Sequence, residues 1–413
     1  MRAILRRPGL VLSWVVVALV AVFGVAEARQ SFKEKLSLIS LGNGPDATIP
    51  PGTFGDFFGP AVQRLAVRGT DFPVTSTVPG FSYVYDPKLQ VLERSSQLGP
   101  VFAERAETVG HGRVEFGASF LFASLQQIDG GKFGTASSIV GVSEPAGVQA
   151  AIEDVTVDSF RIEDYVVNMY VTYGITDRWD VNLLVPLVYS KMRVRARRQF
   201  SLVHDDGSEE IVAGSNRSAD GDAFGIGDVL VRTKYRLVDA DPVAVAAAVA
   251  VRAPSGAEDD FQGLGDVTVT PTLILSYPIG PHSLHGTLGF EFNADDLTRT
   301  RARYTVGATA QIFESLGFLG QTAFLADVLG SSALGEDEFK MPSGTVGVPG
   351  TGLSVVDANT LAVNRTDLID LAAGIKTALP GNGVLYVGAI IPLNDDGIRV
   401  EEAIPTGGVE FGF

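Results

Sequence analysis

Ionisable side chains recur at every second position in several stretches of this chain, a spacing that puts them on one face of an extended strand. Asp228, Arg232, Lys234 and Arg236 share parity with Leu230, while Val229, Val231, Thr233, Tyr235 and Leu237 form the opposite, apolar face. Arg252, Arg303 and Lys376, together with Asp180, Glu291, Asp327, Asp370 and Glu410, fall on the polar side in the same way. Rows of both signs facing one interior can line a conduction path. They can also pair and fill a narrow lumen. Near balance of charge favours pairing, because an unpaired charge away from water is costly, and the two roles are compatible.

A second basic run, Lys191, Arg193, Arg195 and Arg197, keeps the outward parity of Val185 and Leu187 just beyond Tyr189. At the level of outer-leaflet headgroups these forks suit lipopolysaccharide phosphates. The alternative is a solvated strand extension. Enzyme chemistry finds little purchase. The four histidines, His111, His204, His282 and His285, fall in no recognisable Ser-His constellation, and no cysteine is present to act as nucleophile or metal ligand. Carboxylates at Asp205, Asp206, Glu209 and Glu210, and at Glu258, Asp259 and Asp260, could hold calcium or magnesium, but solvated acidic loops have the same composition. No metal or cofactor is expected.

The elements that position these residues read as strands. Tyr165 to Tyr189 forms two alternating runs around a polar turn at Thr176–Arg178, with Val167, Met169, Val171, Tyr173 and Ile175 on one face and Asn168, Tyr170, Thr172 and Gly174 on the other. Counting these two, strands are expected to begin near Arg113, Phe160, Trp179, Phe224, Val243, Asp266, Leu284, Arg301, Leu316, Thr366, Val384 and Ile404, twelve in all. Short turns alternate with long polar connections, among them Gln126–Asp158, Lys191–Asp222, Pro254–Gly265 and Gly330–Arg365. Tyr173, Trp179, Tyr235 and Tyr277 lie beside short turns on the apolar face, and Tyr165, Tyr189 and Tyr304 lie near the long-loop ends, as two aromatic girdles would. These features predict an all-β fold: a transmembrane antiparallel up-and-down β-barrel of about twelve strands, preceded by an irregular N-terminal segment.

Residues 1–28 read as a signal peptide, with a basic start, a 16-residue apolar run from Leu10 to Val25 and an Ala26-Glu27-Ala28 cleavage site. Its removal would take the net charge from −16 to −18, a poor match for nucleic acid. Residues 29–110 are broken by proline and glycine and show no strand alternation. They read as a periplasmic or plug segment, with one short helix expected near Asp56 that carries Phe57, Phe58, Val62 and Leu65 on one side. Residues 111–413 form the barrel.

The chain ends Val409-Glu410-Phe411-Gly412-Phe413, with Val409, Phe411 and Phe413 on the apolar face. This ending resembles the assembly signal of bacterial outer-membrane proteins, which implies the barrel assembly machinery as a partner. Four stretches carry a wider resemblance: GPVFAERAETVGHGRVEFGASF, YGITDRWDVNLLVPL, GIGDVLVRTKYRL and VRAPSGAEDDFQGLGDVTVTPTLILSY. Together they resemble the bacterial outer-membrane transporter-like proteins that include the family of the meta-pathway of phenol degradation. The resemblance implies uptake of hydrophobic or aromatic compounds. The expectation is therefore an outer-membrane channel or transporter for small molecules, hydrophobic or aromatic ones among them, in contact with outer-membrane lipid and lipopolysaccharide. A structural or adhesive barrel without cargo is the alternative, with an enzyme behind it.

Overall fold

The structure is a computed structural model that describes residues 30–40, 73, 76–77, 81–86, 91–128, 130, 135–141, 148–240, 242–315, 319–334, 345–347, 354–356, 367–400 and 402–413. Twelve antiparallel strands close into one barrel. They are β1 (Val114–Ile128), β2 (Val148–Thr176), β3 (Trp179–His204), β4 (Val229–Ala240), β5 (Val243–Ala253), β6 (Thr268–Ile279), β7 (His282–Asn293), β8 (Arg301–Phe313), β9 (Thr322–Ala333), β10 (Asp367–Leu379), β11 (Gly383–Pro392) and β12 (Ile404–Gly412). Neighbours in sequence pair throughout. Closure comes from β1, which pairs β2 on one edge (Val114 with Tyr173 through Leu125 with Ile162) and β12 on the other (Glu115 with Gly412 through Leu121 with Thr406). A closed sheet leaves no backbone edge to satisfy, the condition for spanning a bilayer with strands.

The outward face is apolar and unpartnered. Val306, Val387 and Leu273 are 67%, 63% and 55% exposed, in company with Leu288, Ile375, Phe324 and Val231. No water-soluble chain would leave such a continuous belt in solvent, so hydrocarbon is its partner. Tyr173, Trp179, Tyr235 and Tyr277 stand exposed beside the short turns, as expected. At the other end the Phe122, Tyr165 and Tyr189 rings pack in a row, with centroids 4.8 and 6.0 Å apart.

Two expected loops are strands. The described residues within 126–158 and 191–222 continue the alternation: β2 and β3 stay paired from Tyr165 with Tyr189 up to Val148 with His204. A strand at Glu209–Ile226 pairs along β3, and one at Thr135–Gly141 pairs along β2. The result is a fin standing above the barrel. Its polar composition suggested loops, but Met192, Val194 and Ala196 alternate with the basic residues and are buried on the inner side. A second correction concerns residues 29–110, where a hairpin forms from Phe81–Asp86 and Val91–Leu98 and a helix, α1, spans Phe32–Ser40. The helix expected near Asp56 lies outside the described residues.

Helix α1 seats Phe32 and Leu36, one turn apart, in the apolar inner side of the fin with Phe160, Ile162, Met192 and Phe261. Ser31 caps its start, accepting from the Glu34 amide at 3.2 Å, while Glu34 accepts from the Ser31 amide at 3.2 Å. Its N-terminus is tied to the β5–β6 connection. The Phe32 amide donates to Asp260 at 3.1 Å, and Lys33 meets Asp259 at 3.0 Å.

Candidate functional site

The charged residues singled out by spacing are buried or partly buried in the barrel wall. Asp180, Asp228, Lys234, Arg236, Glu291, Asp327, Lys376 and Glu410 are buried, and Arg232, Arg252, Arg303 and Asp370 are partly buried on the same face. The structure adds a partner that their spacing did not reveal. Residues 99–112 leave the Phe81–Leu98 hairpin and cross the lumen as an irregular strap, reaching the wall at successive strands.

The crossing starts at β10, where the Lys376 ammonium donates to the Gly99 and Pro100 carbonyl oxygens, both at 3.1 Å. On β9, Asp327 Oδ2 accepts from the Phe102 and Ala103 amides at 3.1 and 3.2 Å. On β6, Ser276 Oγ accepts from the Ala106 amide at 2.9 Å. On β4, Lys234 Nζ donates to Glu104 Oε1, the Arg105 carbonyl and Thr77 Oγ1 at 3.0, 3.0 and 3.1 Å. On β3, Asp180 Oδ2 accepts from the Val109 amide at 3.1 Å. Thr108 donates to the Asp177 carbonyl at 2.7 Å and the His111 amide to Asp177 Oδ1 at 3.0 Å, so the strap leaves at the β2–β3 turn. All of these wall residues lie within a few positions of the short turns, so the strap crosses the lumen at that end.

Small residues on the wall make the approach possible. A Cβ at Gly307 would stand 2.2 Å from Asp327 Oδ1 and 2.9 Å from the Ala103 Cβ, and one at Gly174 would stand 1.9 Å from the Gly110 carbonyl oxygen. Only glycine fits at either place.

A polar chain locks the strap centre. Arg232 Nε donates to Asn182 at 2.9 Å, Asn182 to Thr172 at 2.8 Å, and Thr172 to the Thr77 carbonyl at 2.6 Å; the Thr77 amide donates to Glu104 at 2.8 Å and its hydroxyl to the same carboxylate. Burial raises the Glu104 carboxyl, but Lys234, Arg232 and the Thr77 bonds outweigh it and hold Glu104 below the ordinary range. Burial also raises Glu107, and Arg105 beside it at 3.3 Å reverses the effect, taking its pKa down to about 2.

Direct pairing within the wall accounts for part of the rest. Arg303 meets Glu291 at 2.7 Å, whereas Asp370 is met at 2.7 Å by Arg399, which was not among the expected residues. Asp228 secures the β5–β6 connection by accepting from the Gly256 and Leu264 amides at 3.0 and 2.7 Å. Arg236 donates to the Asp177 carbonyl at 3.0 Å. Glu410 sits at the closing seam, opposite Gly117 and two positions along from the pairing of Glu115 with Gly412.

A Ser-His contact that sequence spacing did not reveal is present. His285 Nδ1 lies 3.0 Å from Ser276 Oγ, and Nε2 lies 2.8 Å from Ser283 Oγ. Ser276 is already engaged by the strap amide and the far ring nitrogen faces a serine in place of an orienting carboxylate, so the arrangement serves as a wall latch. Among the described residues no group of His, Asp and Glu could hold a metal ion.

On the fin, Arg193, Arg195 and Arg197 are exposed and Lys191 is half-buried. Arg197 forks Asp158 with bonds of 2.8 to 3.0 Å, and the Lys191 ammonium lies 5.9 and 5.4 Å from the Tyr165 and Tyr189 ring centroids. Val409 and Phe411 face outward on β12, and Phe413 follows, exposed.

The model of the family described as "putative MetA-pathway of phenol degradation" matches residues 145–324, the family that the four sequence stretches resemble. No curated protein matches the sequence. Among solved structures, the chain is similar to the COG4313 outer membrane channel from Pseudomonas putida F1 at 13% identity and a TM-score of 0.43, over 75% of this chain and 98% of that one. It is similar to a Pseudomonas aeruginosa FadL homologue at 8% identity and a TM-score of 0.32, over 73% and 89%. The Pseudomonas putida toluene transporter TodX gives 8% identity and a TM-score of 0.35, also over 73% and 89%.

Proposed function

We propose that this chain is an outer-membrane channel for small molecules, hydrophobic or aromatic ones among them, whose lumen is closed at the short-turn end by residues 99–112 acting as a plug. The strap carries this reading. A barrel serving only as scaffold or adhesin needs no segment drawn across its interior, whereas a channel that must stay tight to ions does. The family description supports aromatic cargo. Short turns of such barrels face the periplasm, so the plugged mouth is the periplasmic one. We keep the domain scheme of an export signal over residues 1–28, a periplasmic or plug segment over 29–110 and the barrel over 111–413 as part of this proposal. Among the described residues the contact of His285 with Ser276 engages the strap, which supports a channel over an enzyme.

The test is uptake of labelled aromatic compounds by a strain deleted for this chain and by the complemented strain. Uptake that falls on deletion and returns on complementation is expected; equal uptake in both would remove the transport reading.

The outward stripe of Lys191, Arg193 and Arg195 supports contact with lipopolysaccharide phosphate, with Arg197 steadied by Asp158. Replacing Arg193 and Arg195 by Gln should lower co-purifying lipopolysaccharide severalfold, and unchanged association would contradict this. Val409, Phe411 and Phe413, facing outward at the seam strand, are proposed as the signal read by the barrel assembly machinery.

A further inference from the structure

The inner face of the fin holds a carboxyl that the channel reading does not use. Asp164, on β2, sits one position above the Tyr165–Tyr189 pair, on the fin side of the aromatic girdle, and shares the buried face of Ile162 and Val166. It is 0% exposed, and neither of its oxygens meets a hydrogen-bond donor. Ser190, opposite it on β3, is equally buried, and its hydroxyl is also without a partner. Ala123 flanks Asp164 on β1 and Ala223 flanks Ser190 on the Glu209–Ile226 strand, so this row of four strands offers the carboxyl no charge. The next row toward the fin tip is Leu125, Ile162, Met192 and Gly221, and helix α1 lies against it. A Cβ at Gly221 would stand 3.1 Å from the Phe32 ring and 2.5 Å from the Lys35 ammonium, so the helix rests on bare backbone there. Phe32 and Leu36 thereby join one apolar cluster with Ile162, Val166, Val188 and Met192, the side chains along and across from Asp164. Charged groups on the surrounding elements are turned away or engaged. Glu163, Lys191 and Asp222 have the opposite parity. Arg399, next to Val400, binds Asp370 at 2.7 Å, Asp260 accepts from the Phe32 amide, and Lys35 stays at Gly221, two strands away. Burial pushes the Asp164 carboxyl up to about 7, opposed only in part by the Ser190 hydroxyl, which faces it without bonding it.

We propose that Asp164 is a proton-operated latch for an outer lid: while its carboxyl is neutral α1 stays seated on the fin, and ionisation drives α1 off its seat so that water reaches the carboxylate. An ionised carboxylate with neither donor nor cation in an apolar seat is costly, and the cost is relieved by moving whichever cover yields first. That cover is α1, nine residues seated by Phe32 and Leu36 and tied at Asp259 and Asp260, since the other walls are strands of the sheet. Seating the helix raises Asp164 from the ordinary 3.8 to about 7. The seated form therefore has its full stability below 3.8, loses it as pH rises toward about 7, and changes no further above that. The lid is shut in acid and released near neutrality. The latch belongs to the outer end of the molecule and depends neither on the strap nor on the cargo.

The test uses the absence of cysteine from the chain. Leu36→Cys places a single thiol under the helix, and Ser218→Cys, exposed on the Glu209–Ile226 strand, gives a reference thiol that carries the intrinsic pH dependence of labelling. Both are labelled with a water-soluble maleimide in the detergent-solubilised full chain. The ratio of the Leu36→Cys rate to the reference rate is expected to rise at least about tenfold from about pH 5 to about pH 8, the factor that one pKa unit sets. With Asp164→Asn added, neutral at every pH, the ratio should keep its acid value throughout. Asp164→Leu, of similar size, repeats the control, and heat-modifiable gel mobility checks that each barrel is closed. A ratio that stays flat across this range in the chain carrying Asp164 would overturn the latch. So would a rise that persists in either folded Asp164 variant.

Discussion

Asp327 accepts two consecutive amides of the strap through Oδ2 and Lys376 donates to two consecutive carbonyls, so these buried side chains meet backbone groups that themselves need partners. Parity alone put both side chains in the lumen. It could not identify what they hold there, because a strap bound through its main chain leaves no periodic mark in its own sequence. Within the wall Arg303 pairs with Glu291, while for Asp180, Asp327 and Lys376 the strap backbone is a partner. The glycine opposite gives a test at this scale. Gly307→Leu would push into Asp327 and Ala103 and should raise planar-bilayer conductance severalfold while the barrel still folds. Gly286, whose Cβ would meet nothing within 4 Å, is the control, and Gly286→Leu should leave conductance unchanged.

At the scale of elements, strap, helix and fin were legible to different degrees. The fin's strands carry the same alternation as the barrel, but acidic and basic side chains at their outward positions give them loop composition, and the sequence reading places loops there. Helix α1 carried a short signal in Phe32 and Leu36, four residues apart, which is too few turns to stand out before its seat in the fin is known. The strap should respond to acid. Glu107 and Glu104 have folded pKa values below the ordinary glutamate value of 4.5, so the stability they give the strap is complete above 4.5. It is lost as pH falls, for Glu107 down through about 2. The share of the conductance that Glu104 and Glu107 govern should therefore appear only below about 4.5, rising progressively as pH falls. Glu104→Gln should weaken that rise, and a profile with no change below 4.5 would show that these carboxylates do not hold the strap.

For the molecule as a whole, the closed barrel was readable because lipid outside and a polar lumen inside impose one rule on every strand. Twelve strands follow from that rule, and their closure through β1 follows from the need to leave no edge. Leu288 stands near mid-strand on β7, 48% exposed on the belt. Leu288→Arg should destabilise the barrel by about 2 to 4 kcal/mol in denaturant titrations from lipid vesicles. Thr287→Arg, on the lumen face of the same strand, should cost less. Equal costs would argue against a lipid-facing belt at this position.

The central claim is that a barrel built to conduct is kept shut by its own N-terminal strap. Single-channel recording in planar bilayers of the wild type and of the Asp327→Ala, Lys376→Met double variant tests it most directly. The wild type should show a small conductance and the variant one severalfold larger, whereas identical recordings from the two folded proteins would contradict the account.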